Sequence, residues 1–274
     1  MADADRDCLA PLATGARVEP MVMQAVLGLP AVSLAALFAV FVFGGVIKGV
    51  TGVGLPLVLV PLATQFVDVP VAVALVSVSM VTTNIQQTLE GGETGAALRQ
   101  LWPIVIPLAV GAVLGTHLLI SIDRRRLNLI VGISFLALAL LLLALPRLRI
   151  GHRTARWGGP MVGFAAGVLG GMSAIFGPPM IAFMVGLGVD PNTFVKHMAI
   201  LALTASTTML LVLGLSGAMS GGDFLMSASV LIPIQLGMPL GRYLRGKIKP
   251  EWFRVMVLVV LAASGLDMLR RALF

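Results

Sequence analysis

The sequence predicts an all-α integral membrane protein. It would hold two four-segment repeats, inverted relative to each other, each opening with a Gly/Pro-broken or re-entrant segment, with about eight membrane segments in all. Three observations lead there. Of 274 residues, 58% are hydrophobic and only 11% charged, where a soluble domain carries about a quarter charged residues. Uncharged runs cover 71–89, 100–122, 127–146, 157–189, 198–222, 224–241 and 255–266, most of them near the ~20 residues that span a hydrocarbon core. The third observation is that the chain matches itself.

Pro107, Gly111 and Gly115 recur as Pro233, Gly237 and Gly241, shifted by 126 residues. Gly49-Val50-Thr51 answers to Gly171-Met172-Ser173, and Asp68 to Asp190, shifted by 122. With one residue of slippage Gly54-Leu55-Pro56-Leu57 answers to Gly177-Pro178-Pro179-Met180, while Asn84 meets Ser206 and Gln86 meets Thr208. Glycine and proline match by chance in any membrane sequence, but ordered matches through both halves argue for duplication.

Taken in order, residues 1–29 read as a polar N-terminal tail without the basic start and short apolar core of a signal peptide. The first repeat, 30–146, opens with a segment at 31–67 broken by Gly and Pro, then spans at about 70–89, 102–121 and 127–145. A basic linker, 147–156, leads into the second repeat, 157–274, with its broken segment at 158–188 and spans at about 192–213, 224–243 and 252–270. Asp68 and Asp190 stand where helix N-caps belong, because a carboxylate accepts the orphan N–H groups of a first turn; Pro191 suits the first helical position.

Charge placement tests whether the broken segments cross. If each turns back, a repeat makes an odd number of crossings and the two are inverted. Eleven cations (Arg99, the 147–156 cluster, Lys196, and Arg242 through Arg254) then share one side and seven the other. If each crosses, the split is nine to nine. The positive-inside tendency favours inversion, which is also a recurring transporter plan.

Lys48 is the only charged side chain between Leu27 and Phe66, and it sits in the stretch GGVIKGVTGVGLP. A lysine at mid-bilayer costs roughly 2.5–3.5 kcal/mol, and no Asp or Glu lies within the deep runs to offset it. A substrate anion would do so; a shallow lysine snorkelling to a headgroup is the alternative. Interrupted segments at matching positions point to a site between the repeats, where half-helix N-termini attract anions. The candidate substrate-binding residues at the breaks are therefore Lys48, Gly49, Thr51, Gly52, Gly54, Ser173 and Gly177. The second half of the next span is polar, and its amides Asn84 and Gln87 share a helix face at i, i+3. His197, beside Lys196, is a candidate proton-coupling group or anion contact, with an idle interfacial residue as the alternative. Gly111, Gly115, Gly237 and Gly241 form small-xxx-small patterns and read as helix-packing positions.

Other chemistries lack their residues. Cys8 is the only cysteine, so neither an intramolecular disulfide nor a thiolate metal cluster is expected. There is no HExxH, no deep carboxylate pair and no G-x-x-x-x-G-K-[ST] order, hence no enzyme, metal site or cofactor is expected. The net charge of +7 comes in clusters between apolar runs, which read as membrane-flanking anchors rather than a nucleic-acid surface. The expected partners are a small anion and the lipid bilayer. Abundant small-residue faces leave a homodimer open, though one protomer can use all of them internally.

Two motifs carry a family resemblance. Gly45, Gly49, Thr51, Gly52 and Gly54, followed by Pro61, resemble the Gly-rich opening of the sulfite exporter TauE/SafE family, and Gly170 through Pro179 resemble the small-residue cluster ending in Gly-Pro-Pro of its second repeat. The resemblance spans about residues 30–271. The chain departs from the pattern at Gly54-Leu55-Pro56, where further glycines are common, and at Phe194-Val195-Lys196-His197, where relatives place an arginine beside the aromatic residue. The resemblance implies a multi-pass transporter of the bacterial inner membrane that moves small sulfur oxyanions or organosulfonates, often outward. A passive anion channel, or a transporter of another small anion, is the alternative.

Overall fold

A computed structural model describes residues 21–51, 55–89, 94–144, 152–189, 191–244 and 250–273. These form α1 (Met21–Leu27), α2 (Ala31–Thr51), α3 (Leu55–Ala63), α4 (Val69–Leu89), α5 (Thr94–Ser121), α6 (Arg124–Ala144), α7 (His152–Ser173), α8 (Gly177–Gly186), α9 (Pro191–Leu215), α10 (Gly221–Ser229), α11 (Leu231–Leu244) and α12 (Pro250–Leu273), with no strand among the described residues. Six candidate spans are long and apolar enough to cross a membrane: α2, α4, α5, α6, α9, and α10 with α11.

Helices α3 and α8 are half-length. At 9 and 10 residues they rise only about 15 Å, half a hydrocarbon core. α3 doubles back along α2, since Gly44 lies against Leu59 across the break. α8 doubles back along α7, where Gly170 meets Phe176 and Gly159 meets Phe183. Backbone that stops at membrane depth must be enclosed by protein, and α3 is buried at every residue except Leu62.

The enclosing contacts are glycine-based. A Cβ on Gly45 would strike the Ile234 carbonyl, and one on Gly49 the Met238 carbonyl; Gly237 and Gly241 lie in turn against Val42 and Val46. α2 and α11 thus run parallel with their backbones touching. α5 and α7 repeat the arrangement, with Gly111 and Gly115 on Phe164 and Val168, and Gly167 and Gly171 on Leu108 and Ala112. Small residues permit this approach, and dispersion holds it where lipid offers no hydrophobic drive. α6 and α12 meet at Gly132 and Gly265 and run antiparallel, because Arg125 Nε donates to the Ala272 carbonyl at 2.6 Å. α4 and α9 are also antiparallel, tied at Asn84–Ser206 and Thr88–Lys196.

Several expectations change. The Gly-rich run is helical through Thr51, with Gly44, Gly45 and Gly49 serving as packing faces, and α3 begins at Leu55; residues 52–54 lie outside the described residues. Residues 21–27 belong to a helix rather than a polar tail, with Val22 fully buried. α7 begins inside the basic linker. Asp68 takes Arg124 as an ion pair at 2.6 Å instead of capping α4, while Asp123 accepts the Arg126 N–H and caps α6. Asp190 lies outside the described residues.

Asp223, which the sequence shows only as a break between apolar runs, is fully buried. Its carboxylate accepts the N–H groups of Val22 and Met23 at 2.8 and 3.0 Å, and the Ser220 N–H and hydroxyl at 3.0 Å each. One side chain therefore caps α1 and closes a capping box on α10. Buried N–H groups left without an acceptor each cost about 1–3 kcal/mol. Asp223→Ala should lower stability by at least about 3 kcal/mol, seen as a large fall in Tm of the detergent-solubilised protein. Gly241→Leu should separate α2 from α11, costing at least about 3 kcal/mol. Gly95→Leu, whose Cβ meets nothing within 4 Å, is the matched control and should leave Tm within about 2 °C.

Candidate anion site

The last turn of α2 brings Lys48 against the polar half of α4. Its ammonium donates to Asn84 Oδ1 at 2.8 Å, and Asn84 Nδ2 donates to Ser206 Oγ of α9 at 3.3 Å. An ammonium can only donate, so Asn84 must face it with oxygen and turn its NH2 to α9. Ser206 in turn donates to the Ala202 carbonyl at 2.8 Å. Lys48 and Asn84 are each 5% exposed, which places a formal charge in a setting where only polar partners can hold it.

These residues border one cavity of about 30 Å³. Its wall includes Leu55, Pro56 and Leu57 at the start of α3, and Ile175, Phe176, Gly177 and Pro178 at the start of α8. Met80, Asn84 and Gln87 come from α4, and Met198 and Ala202 from α9. Both interrupted segments thus point their N-terminal ends at the same space. A cavity this small admits only a ligand of a few heavy atoms, far below the ~300–1,000 Å³ of pockets for drug-sized molecules. No Asp or Glu is among its described lining residues.

The Gln87 Nε2 is buried with no hydrogen-bond partner, an uncommon state that leaves a donor for an acceptor-rich ligand. Gly177 is open on the cavity side, since a Cβ there would meet only Ile181 Cδ1 at 3.8 Å. The α8 N-terminus is a weaker donor than its position suggests. Of its first four backbone groups, Pro178 and Pro179 have no N–H, so side chains supply most of the donors.

The remaining candidates lie elsewhere. Ser173 Oγ donates to the Leu169 carbonyl at 2.7 Å and accepts the Ile175 N–H at 3.3 Å, which shapes the α7–α8 turn beside Ala174, a residue at φ +60°. Gly49 faces α11 rather than the cavity. His197 is buried but lines a separate apolar cleft of about 520 Å³ with Trp102, Pro103 and Phe183. Gly52, Gly54 and the Thr51 side chain lie outside the described residues. Sequence reasoning missed Ser206 as the support of Asn84, although the repeat match pairs those two positions. It also missed the apolar walls Met80, Phe176 and Met198, which carry no chemical signature.

No curated protein and no solved structure matches the chain. A family model does: "Sulfite exporter TauE/SafE" matches residues 37–268. Its members are membrane transporters rather than enzymes. With apolar helices of spanning length, a small cavity between α3 and α8 that holds one lysine and two amides, and a match over nearly the whole length, the chain is a multi-pass membrane protein that belongs to the sulfite exporter TauE/SafE family.

Proposed function

We propose that the chain is a secondary transporter, working as an exporter, of small sulfur-containing anions such as sulfite or organosulfonates, in the bacterial inner membrane. The observation that carries this reading is the single cavity between the two interrupted segments. It offers an ammonium and an unpartnered amide donor, with no carboxylate among its described lining residues. A trigonal or tetrahedral oxyanion supplies several acceptor oxygens, and charge-assisted hydrogen bonds are the strong ones. The anion would also offset the desolvation of Lys48, whose Asn84 partner is neutral.

Alternating access follows from two inverted repeats, 30–146 and 157–274. The helix pairings support that arrangement: α2 on α11 corresponds to α7 on α5, and α3 on α12 to α8 on α6, with the units exchanged. Corresponding helices α4 and α9 touch and run antiparallel, and so do α6 and α12. Asn84 and Ser206, matched by the repeat, bond to each other, which supports a pseudo-two-fold relation between units that rock against each other. α7 and α12, at 22 and 24 residues, are long enough to bring the count of membrane segments to eight.

Flux of a panel of sulfur oxyanions into and out of proteoliposomes, with and without a pH gradient, tests the reading. Sulfite or a small sulfonate should move saturably and respond to an imposed gradient; movement of none of them removes the proposal. Lys48→Met should reduce sulfite flux by about 10- to 100-fold, the equivalent of one charged hydrogen bond of 1.5–3 kcal/mol, and lower stability by about 1–3 kcal/mol for the Asn84 oxygen left without its donor. Gln87→Leu should raise stability by about 1 kcal/mol, because a buried unpaired donor is lost, and should weaken transport several-fold. Destabilisation by Gln87→Leu would show that the amide serves packing instead.

A further inference from the structure

The cavity extends further to one side of the Asn84–Ser206 contact than to the other. Of its other lining residues on α4 and α9, Met80 lies toward the α4 N-terminus, whereas Gln87, Met198 and Ala202 lie toward the α4 C-terminus and the α9 N-terminus. In the opposite direction the buried side chains of the two helices are apolar apart from a few hydroxyls, among them Val73, Val76, Met209 and Leu213. The hydroxyls there are satisfied: Ser77 bonds the Ala74 carbonyl at 2.8 Å and Thr83 the Ser79 carbonyl at 2.7 Å. Polar groups without partners occur on the cavity's own side. Thr88 is 5% exposed, yet its hydroxyl has no hydrogen-bond partner, and neither has the neighbouring Gln87 Nε2.

Lys196 bridges the two helices on this side. Its ammonium donates to the Thr88 carbonyl at 2.7 Å, resting on the C-terminal end of α4, where the helix dipole favours a cation. Lys196 lies ten residues before Ser206, about 15 Å along α9, whereas Thr88 lies only four residues beyond Asn84, about 6 Å along α4. The lysine stem therefore extends inward toward the cavity, the reverse of the outward snorkelling that lysine prefers near a membrane surface. The side chain ties α9 to α4 one residue beyond Gln87, which lines the Lys48 cavity.

We propose that Lys196, Thr88 and Gln87 form an outer anion subsite that gates access to the Lys48 cavity. It rests on the anion-transport reading and adds a second station to it. An arriving anion draws the Lys196 ammonium off the Thr88 carbonyl and takes the Thr88 hydroxyl and the Gln87 amide as further donors. Gln87 borders both stations, so it hands the anion inward to Lys48 without exposing it to an apolar wall. Departure of Lys196 from Thr88 also unties α4 from α9, which couples anion arrival to opening of that side.

The test needs no transport. In a Cys8→Ser, Ala202→Cys background, the cavity thiol of detergent-solubilised protein is labelled with a sulfonate-bearing methanethiosulfonate and, separately, with neutral methyl methanethiosulfonate. The ratio of the two rates isolates charge from access, and the neutral reagent reports whether a variant keeps its cavity. Lys196→Met should lower the anionic-to-neutral ratio about tenfold, the lower range of electrostatic steering, and Lys196→Arg should hold it within about twofold of the parent. An unchanged ratio in Lys196→Met overturns the subsite. Absent sulfite flux in the wild-type protein would instead strike the transport reading, which this ratio does not measure.

Discussion

Backbone that terminates at membrane depth must hide its unpaired N–H and C=O groups in protein, and the fold is arranged around two such terminations. α3 and α8 are too short to cross, and each is folded back along the helix before it. Glycine contacts complete the enclosure. Gly45, Gly49, Gly237 and Gly241 on one side, with Gly111, Gly115, Gly167 and Gly171 on the other, bring whole backbones into contact. Those stripes are used within one chain.

The same constraint produces the site. Enclosing both interruptions leaves a small cavity between them, and the residues beside it cannot be hydrated as they would be in water. In that setting the Lys48–Asn84–Ser206 chain of bonds fixes the amide orientation and holds the ammonium at the wall. One half of the molecule supplies the charge and the other half the support for its acceptor. A motion that shifts α9 relative to α2 and α4 therefore alters the site itself.

Burial treats the two deep ionised groups differently. Asp223 is saturated by four donors from two helix starts, so its charge is consumed in holding α1 to α10. Lys48 faces an uncharged amide oxygen beside open space and an unpartnered Gln87 donor. The contrast separates a charge held by four donors from one that borders a cavity, although both look alike as single charges in apolar sequence.

The sequence by itself determined that the chain is helical and membrane-embedded, because length, apolarity and the spacing of charges follow from the cost of placing side chains in lipid. It also marked Lys48, Asn84 and Gln87, since a cation and amides inside apolar runs are costly enough to stand out residue by residue. Their meeting with both half-helix starts was decided only by tertiary structure. So were the continuation of α2 through Gly44, Gly45 and Gly49, the burial of Asp223, the position of His197 in a separate cleft, and the role of Ser206. Glycine reads locally as a helix breaker, and becomes a helix contact only when a second backbone arrives to fill the space its missing side chain leaves.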